Sequence, residues 1–214
     1  MTKICYQSFL SISCLFLLFS CSNLKKSRNS NPPQQTFSKS QAALIMEKDS
    51  ERPMRVFKIT NTADSILLRT KSTEVMVDAN NPVLQTFVKR LYNTVRDSMS
   101  LGVGIAAPQV GILKNIIWIQ RFDKPTFPFE VYLNPKIVQY SKLTQECKEG
   151  CLSIPDRSDM LNSRSYAILI EYDKMDGTHH FEMVEDFTAV IFQHEIDHLD
   201  GILYLDHLAK ELKD

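Results

Sequence analysis

The sequence carries no net charge, because 25 lysines and arginines are matched by 25 acidic residues, mixed along the chain. That balance excludes a general electrostatic pull toward nucleic acid or an anionic membrane surface. Cysteine is scarce. Cys5, Cys14, Cys21, Cys147 and Cys151 are odd in number and fall into two separate groups, which rules out a disulfide framework. Histidine is missing until His179, so any histidine chemistry rests on His179, His180, His194, His198 and His207. Arginine is missing before Arg28, which excludes a mitochondrial presequence. The apolar run from Phe9 to Ser20 is too short for a membrane span and has the length of a signal-peptide core.

That run follows Lys3, a short positive n-region, and closes on Leu18-Phe19-Ser20-Cys21. The closing tetrapeptide resembles a bacterial lipobox, in which the cysteine is lipidated and becomes the new N-terminus. Phe19 departs from the usual small or β-branched residue. The residues that follow are rich in Ser, Asn, Gln, Pro and Lys, including Asn31-Pro32-Pro33-Gln34-Gln35, and such a stretch buries little. The expected organisation is a signal peptide over residues 1–20, a flexible tether over 21–54 and a folded domain over 55–214. A used leader implies a membrane-anchored lipoprotein. Translation from Met46 or Met54 would instead give a cytoplasmic protein.

Within the folded part, Asn81-Pro82 opens a helix as N-cap and N1. Leu84, Phe87, Val88, Leu91, Tyr92 and Val95 follow at helical spacing. Ile116 to Ile119, Glu130 to Leu133 and Tyr166 to Tyr172 read as strands. Asp176-Gly177 is a hairpin turn leading to a strand over 178–184. Asp186 and Asp206 are each positioned to cap a helix. Strands followed by helices give an α+β fold class, expected here as antiparallel sheets packed around a helix that carries the candidate metal ligands.

Three segments carry chemistry. In Gln193-His194-Glu195-Ile196-Asp197-His198 the two histidines lie four apart on one helix face, where both imidazoles reach one cation. Glu195 lies beside them, where its carboxylate can reach a bound water. A catalytic site needs a third protein ligand and an open position. Metalloprotease arrangements place that ligand downstream, but only Glu211 remains there, and Tyr204 stands where a third histidine would fall. Glu149-Gly150-Cys151-Leu152-Ser153 offers Cys151 as a thiolate. Gly102-Val103-Gly104-Ile105-Ala106-Ala107-Pro108-Gln109 offers small residues for close approach and one amide donor.

In this order, the three segments resemble the peptide deformylase family, with its Gly-x-Gly-Leu/Ile-Ala-Ala-Pro-Gln, Glu-Gly-Cys-Leu-Ser and His-Glu-x-Asp-His motifs. The likeness runs from about Met54 to Leu208. It includes Ser65-Ile66-Leu67-Leu68-Arg69 and Asp200-Gly201-Ile202-Leu203-Tyr204. The resemblance implies a monomeric hydrolase that releases formate from N-formyl-methionyl peptides or nascent chains. It also implies Cys151, His194 and His198 as metal ligands, with Fe(II) as the metal and Zn, Ni or Co able to replace it. Glu195 would be the general base and acid, and Gln109 and the Leu152 N–H would bind the formyl oxygen. Gly104 would meet the substrate backbone. Val103, Phe187, Val190 and Ile191 would line the methionine pocket. Two departures stand out: Asp186 near a position where the family carries glycine, and the leader. Arg164 is expected to pair with Asp197 and orient the metal helix. The other readings are a His-Glu-x-x-His metalloprotease and a lipoprotein that keeps the fold as a binding module.

Overall fold

The structure is a computed structural model that describes residues 36–98 and 101–213. The expected signal peptide and Cys21 lie outside the described residues. Among the described residues five helices and seven strands follow in the order α1 Lys39–Met46, α2 Thr62–Leu68, α3 Pro82–Arg96, β1 Gly104–Ala106, β2 Ile116–Gln120, β3 Phe129–Tyr140, β4 Thr144–Cys151, β5 Ile154–Ser165, β6 Ala167–Asp173, β7 His179–Glu185, α4 Asp186–Leu199 and α5 Tyr204–Glu211. A 3-10 turn over Ala107–Val110 links β1 to β2. None of these helices is long and apolar enough to cross a membrane.

The period-two alternation of the strands divides the core. β1, β2, β3, β6 and β7 form one antiparallel sheet in that order. Ile105, Ile116 and Leu133 face the helix stripe of Leu84, Phe87, Leu91 and Val95 on α3. Their neighbours Ala106, Ile117 and Tyr132 point the other way, onto Ala189, Phe192, Ile196 and Leu199 of α4. The sheet therefore lies between the two helices. α3 starts as its sequence expects, with the Asn81 Oδ1 accepting the Val83 and Leu84 N–H groups at 2.9 and 3.1 Å.

α4 is buried on almost every side, so its polar residues need protein partners. Gln193 has them. Its Oε1 accepts the Ser165 N–H at 3.0 Å, and its Nε2 donates to the Ser165 and Ala189 carbonyls at 2.9 and 3.0 Å. β4 and β5 form a separate two-stranded hairpin whose register shifts between Gly150 and Cys151, and α5 packs on it. This hairpin brings Cys151 up to α4.

Two expectations need correction. Residues 36–54, assigned to a flexible tether, are partly built onto the fold. Phe37 and Ile45 are buried against α3, and the Arg90 guanidinium, itself buried, donates to the carbonyls of Ile45 at 2.7 Å, Arg52 at 2.9 Å and Leu44 at 3.1 Å. The polar composition hid two apolar side chains, Phe37 just before α1 and Ile45 within it. Asp186 does not cap α4. It is the first residue of the helix, preceded by Glu185, and has φ +56, the left-handed region that suits glycine. Asp206 does cap α5, from inside the helix: it is the third residue, and its carboxylate accepts the Leu203 N–H at 2.8 Å, the acid's part in a capping box.

Candidate metal centre and substrate cavity

Two elements supply the donor atoms. Residues 194 and 198 share one face of α4, and the His194 and His198 rings lie 5.1 Å apart. The bulge ending β4 brings Cys151 Sγ to 3.2 Å from His198 Nε2. One donor atom from each of Cys151, His194 and His198 lies within 4.8 Å of the others, and among the described residues this is the group that could hold a metal ion.

The surroundings explain the geometry. Glu149 Oε2 lies 2.7 Å from His194 Nδ1, which leaves Nε2 turned toward the sulfur. Glu149 is held in turn by Arg164, at 2.6 Å through Nε and 3.0 Å through Nη2. Arg164 Nη1 reaches Asp197 Oδ2 at 2.6 Å, as expected from the sequence, and Asp197 also meets His207 Nε2 at 2.8 Å. Arg164 thus ties the hairpin to α4. Its charge is fully desolvated and shared by two carboxylates, the arrangement a buried guanidinium requires. Sequence reasoning placed Glu149 inside a motif without giving it a task, because a lone carboxylate on a strand carries no signal of its own. His198 Nδ1 is buried with no hydrogen-bond partner among the described residues.

The electrostatics favour a cation. Burial opposes ionisation of the Cys151 thiol, yet His198 and His194 beside it draw its pKa well below the ordinary thiol value. Burial likewise pushes Glu149 up, but His194 and Arg164 outweigh it and hold the carboxyl at about 2. Glu195 differs. Burial dominates and, against the pull of both histidines, raises its pKa to about 7. Its Oε2 has no hydrogen-bond partner among the described residues. One thiolate and two imidazoles make a mixed sulfur and nitrogen donor set, which suits Fe(II), Zn, Ni or Co and not Mg or Ca. The residues fit such an ion, and two of the three, Cys151 and His194, line a cavity.

That cavity has a volume of about 460 Å³. The residues expected at the substrate are brought together here: Val103, Gly104, Gln109, Leu152, Phe187, Val190 and Ile191 all line it, together with Cys151, His194 and Glu195. Gln109 is locked in one orientation. Its Oε1 accepts the Ala106 N–H at 2.8 Å, which turns the amide nitrogen toward Ser153 Oγ at 3.3 Å and Cys151 Sγ at 3.6 Å. Gly104 lies so close to α4 that a Cβ there would meet Glu195 Oε1 at 2.6 Å. The protease arrangements find no support. Glu211 is spent on the Asn162 and Ser163 N–H groups, and the Tyr204 hydroxyl donates to Asp159 at 3.0 Å.

Residues 56–214 match the family model described as polypeptide deformylase. A peptide deformylase of Desulforudis audaxviator is 39% identical over 153 residues, which cover 72% of this chain and 94% of the relative. Among solved structures, the Met-Ala-Ser-bound class I type b peptide deformylase of Acinetobacter baumannii superposes with a TM-score of 0.65 at 29% identity, covering 73% of this chain and 99% of that one. The peptide deformylase of Thermotoga maritima gives 0.63 at 30% identity, covering 73% and 97%.

Proposed function

The chain belongs to the polypeptide deformylase family and is a metal-dependent hydrolase that removes the formyl group from nascent peptides, and from that premise we propose the tasks of its residues. Cys151, His194 and His198 hold the metal, Glu195 moves the proton, Gln109 and the Leu152 N–H receive the formyl oxygen, and Val103, Phe187, Val190 and Ile191 take the methionine side chain. The observation that carries this reading is the convergence, in one cavity, of the sulfur and two imidazoles with a carboxyl that is not among them.

When bound, the metal supplies a water acidic enough to react near neutral pH and a positive centre for the formyl oxygen. Glu195 is placed to accept a proton from a water that attacks the formyl carbon and to deliver it to the departing amine. Its raised pKa suits both transfers, since a carboxyl near 7 exchanges a proton readily at neutral pH. Negative charge builds on the formyl oxygen, where the Gln109 amide can donate because its own oxygen is already engaged by Ala106. One such donor is worth about 2.7–4 kcal/mol. Gly104 lets the substrate backbone pass close to Glu195. The products are formate and a free α-amine.

The test is Glu195→Ala, assayed by formate release from a formyl-methionyl tripeptide alongside metal content. The variant is expected to keep its metal and lose turnover. Retained turnover in the metal-replete variant would remove Glu195 from this role.

We further propose Fe(II) as the working metal, on the family resemblance, with a donor set that accepts Zn, Ni or Co as well. Equal activity after aerobic and anaerobic purification would count against it. For location, we propose that the leader is translated and that Cys21 is the lipid anchor of a monomeric enzyme at the membrane, with exported or foreign formyl peptides as substrates. A start at Met46 would remove all of α1 but its last residue and cost Arg90 the Leu44 and Ile45 carbonyls, and a start at Met54 would remove the Arg52 and Pro53 carbonyls as well, which favours an upstream start. Mass spectrometry of the native N-terminus decides between them.

A further inference from the structure

Residues 57–59 make three bonds that no part of the reaction described above explains. The Phe57 N–H donates to the Gln109 carbonyl at 2.7 Å, and the Ile59 N–H donates to the Ser153 carbonyl at 3.0 Å. Between them, Lys58 Nζ donates to the Leu152 carbonyl. One short segment therefore grips both loops that carry the proposed oxygen-binding donors. The segment is itself anchored. The Lys58 N–H donates to Asp64 Oδ2 at 3.0 Å, and Arg55 holds both oxygens of that carboxylate at 2.7 and 2.8 Å. Asp64 is buried, and the Asn61 side chain accepts its N–H at 3.0 Å.

Lys58 is the one side chain of this grip that lines the cavity. Its target matters because of what lies on either side. Leu152 follows Cys151, whose sulfur is held by its role as a ligand and by the Ser153 N–H at 3.4 Å. With the sulfur fixed on one side and the carbonyl fixed by an ammonium on the other, the Leu152 N–H between them has little freedom to turn. A charged donor holds a carbonyl more firmly than a neutral one.

We propose that Lys58 is a positioning residue for the reaction. It clamps the Leu152 carbonyl so that the Leu152 N–H and the Cys151 sulfur hold the geometry that receives the formyl oxygen. It acts through Leu152 and need not touch the substrate. This rests on the deformylase reading of the cavity.

The experiment compares the full-length wild type, Lys58→Met and Lys58→Arg, each loaded with Co(II). It reads formate release from a formyl-methionyl tripeptide, the cobalt–thiolate absorption, and amide hydrogen exchange over residues 151–153. Complete loss of an oxyanion donor typically costs 10²–10³-fold in kcat, and a loosened one costs less. Lys58→Met is expected to lower kcat roughly tenfold with KM little changed, at wild-type metal content and melting temperature. It should also shift the cobalt–thiolate band and speed exchange over 151–153. Lys58→Arg, which keeps a cationic donor, should restore all three. Wild-type kcat and exchange in Lys58→Met would overturn the proposal, as would a loss traced wholly to unbound metal or to a lowered melting temperature. If the wild type itself released no formate, the reading of the cavity would fail, while the band and the exchange rates would still test the clamp.

Discussion

The sharpest test of the site is one added methyl group, Gly104→Ala. Gly104 lies on β1, where pairing with Ile119 of β2 fixes its backbone. An alanine Cβ there would stand 2.6 Å from Glu195 Oε1 and 2.9 Å from both Glu195 Cγ and Ile191 Cγ2. Ordinary contact begins at 3.4 Å, so the carboxyl oxygen must retreat by about 0.8 Å. Neither side yields easily, because α4 is buried and β1 is held by its ladder. A misplacement near 1 Å in a reacting group costs on the order of 10²-fold in rate, or about 2.7 kcal/mol in the barrier. Overpacking adds a stability cost of about 1–3 kcal/mol. The assay is kcat for formate release from a formyl-methionyl peptide, with metal content measured on the same sample. A kcat about 100-fold lower with full metal occupancy is expected, because the ligand atoms are not displaced. A metal-replete variant that turns over like the wild type would refute both the proximity argument and the task given to Glu195.

Three more outcomes follow from named contacts. Glu149→Ala removes the carboxylate that orients His194 and leaves Arg164 short of one partner. Metal affinity should fall about 10–100-fold and stability by roughly 3–5 kcal/mol, read by metal titration and urea unfolding; unchanged affinity would break the orienting link. Ile45→Ala, within α1, should cost about 2–5 kcal/mol because the side chain is fully buried; a loss under about 0.5 kcal/mol, the scale of an ordinary surface substitution, would show that α1 does not belong to the core. The third outcome concerns acid. Arg121 draws Asp123 down against the effect of burial. Burial pushes Glu182 and Glu130 up, but Arg121 and Lys124 outweigh it, so all three carboxyls titrate below their ordinary values when folded. Their stabilisation is present above the unfolded carboxylate range, near about pH 4, and is lost as pH falls through the folded values. Urea midpoints from about pH 6 to about pH 3 should therefore drop, and the drop should shrink in Arg121→Met. An equal drop in that variant would clear Arg121 of the effect.

Features set by neighbours in sequence are legible from the residues alone. Asn81-Pro82 and the apolar stripe after it announce α3, and Asp176-Gly177 announces the β6–β7 turn, with Gly177 at φ +82. The His194 and His198 pair needs only helical periodicity to share one face. The contacts made across the fold have no local signature. Cys151 is a possible thiolate by its chemistry, but only the hairpin of β4 and β5, packed on α4, brings its sulfur to the histidines. Glu149, Arg164 and Asp197 are three ordinary charges until folding desolvates them and forces them to pair. Residues 36–54 look too polar to bury anything, because two apolar side chains register as a core only when α3 offers a matching face. Asp186 has the chemistry of a cap, yet the turn out of β7 drives it to φ +56, a demand made by where α4 must go. Local spacing determined which residues could do chemistry, since periodicity and capping act over a few residues. The tertiary structure decided which of them meet and in what state of charge, because desolvation and long-range pairing exist only once distant segments are packed together.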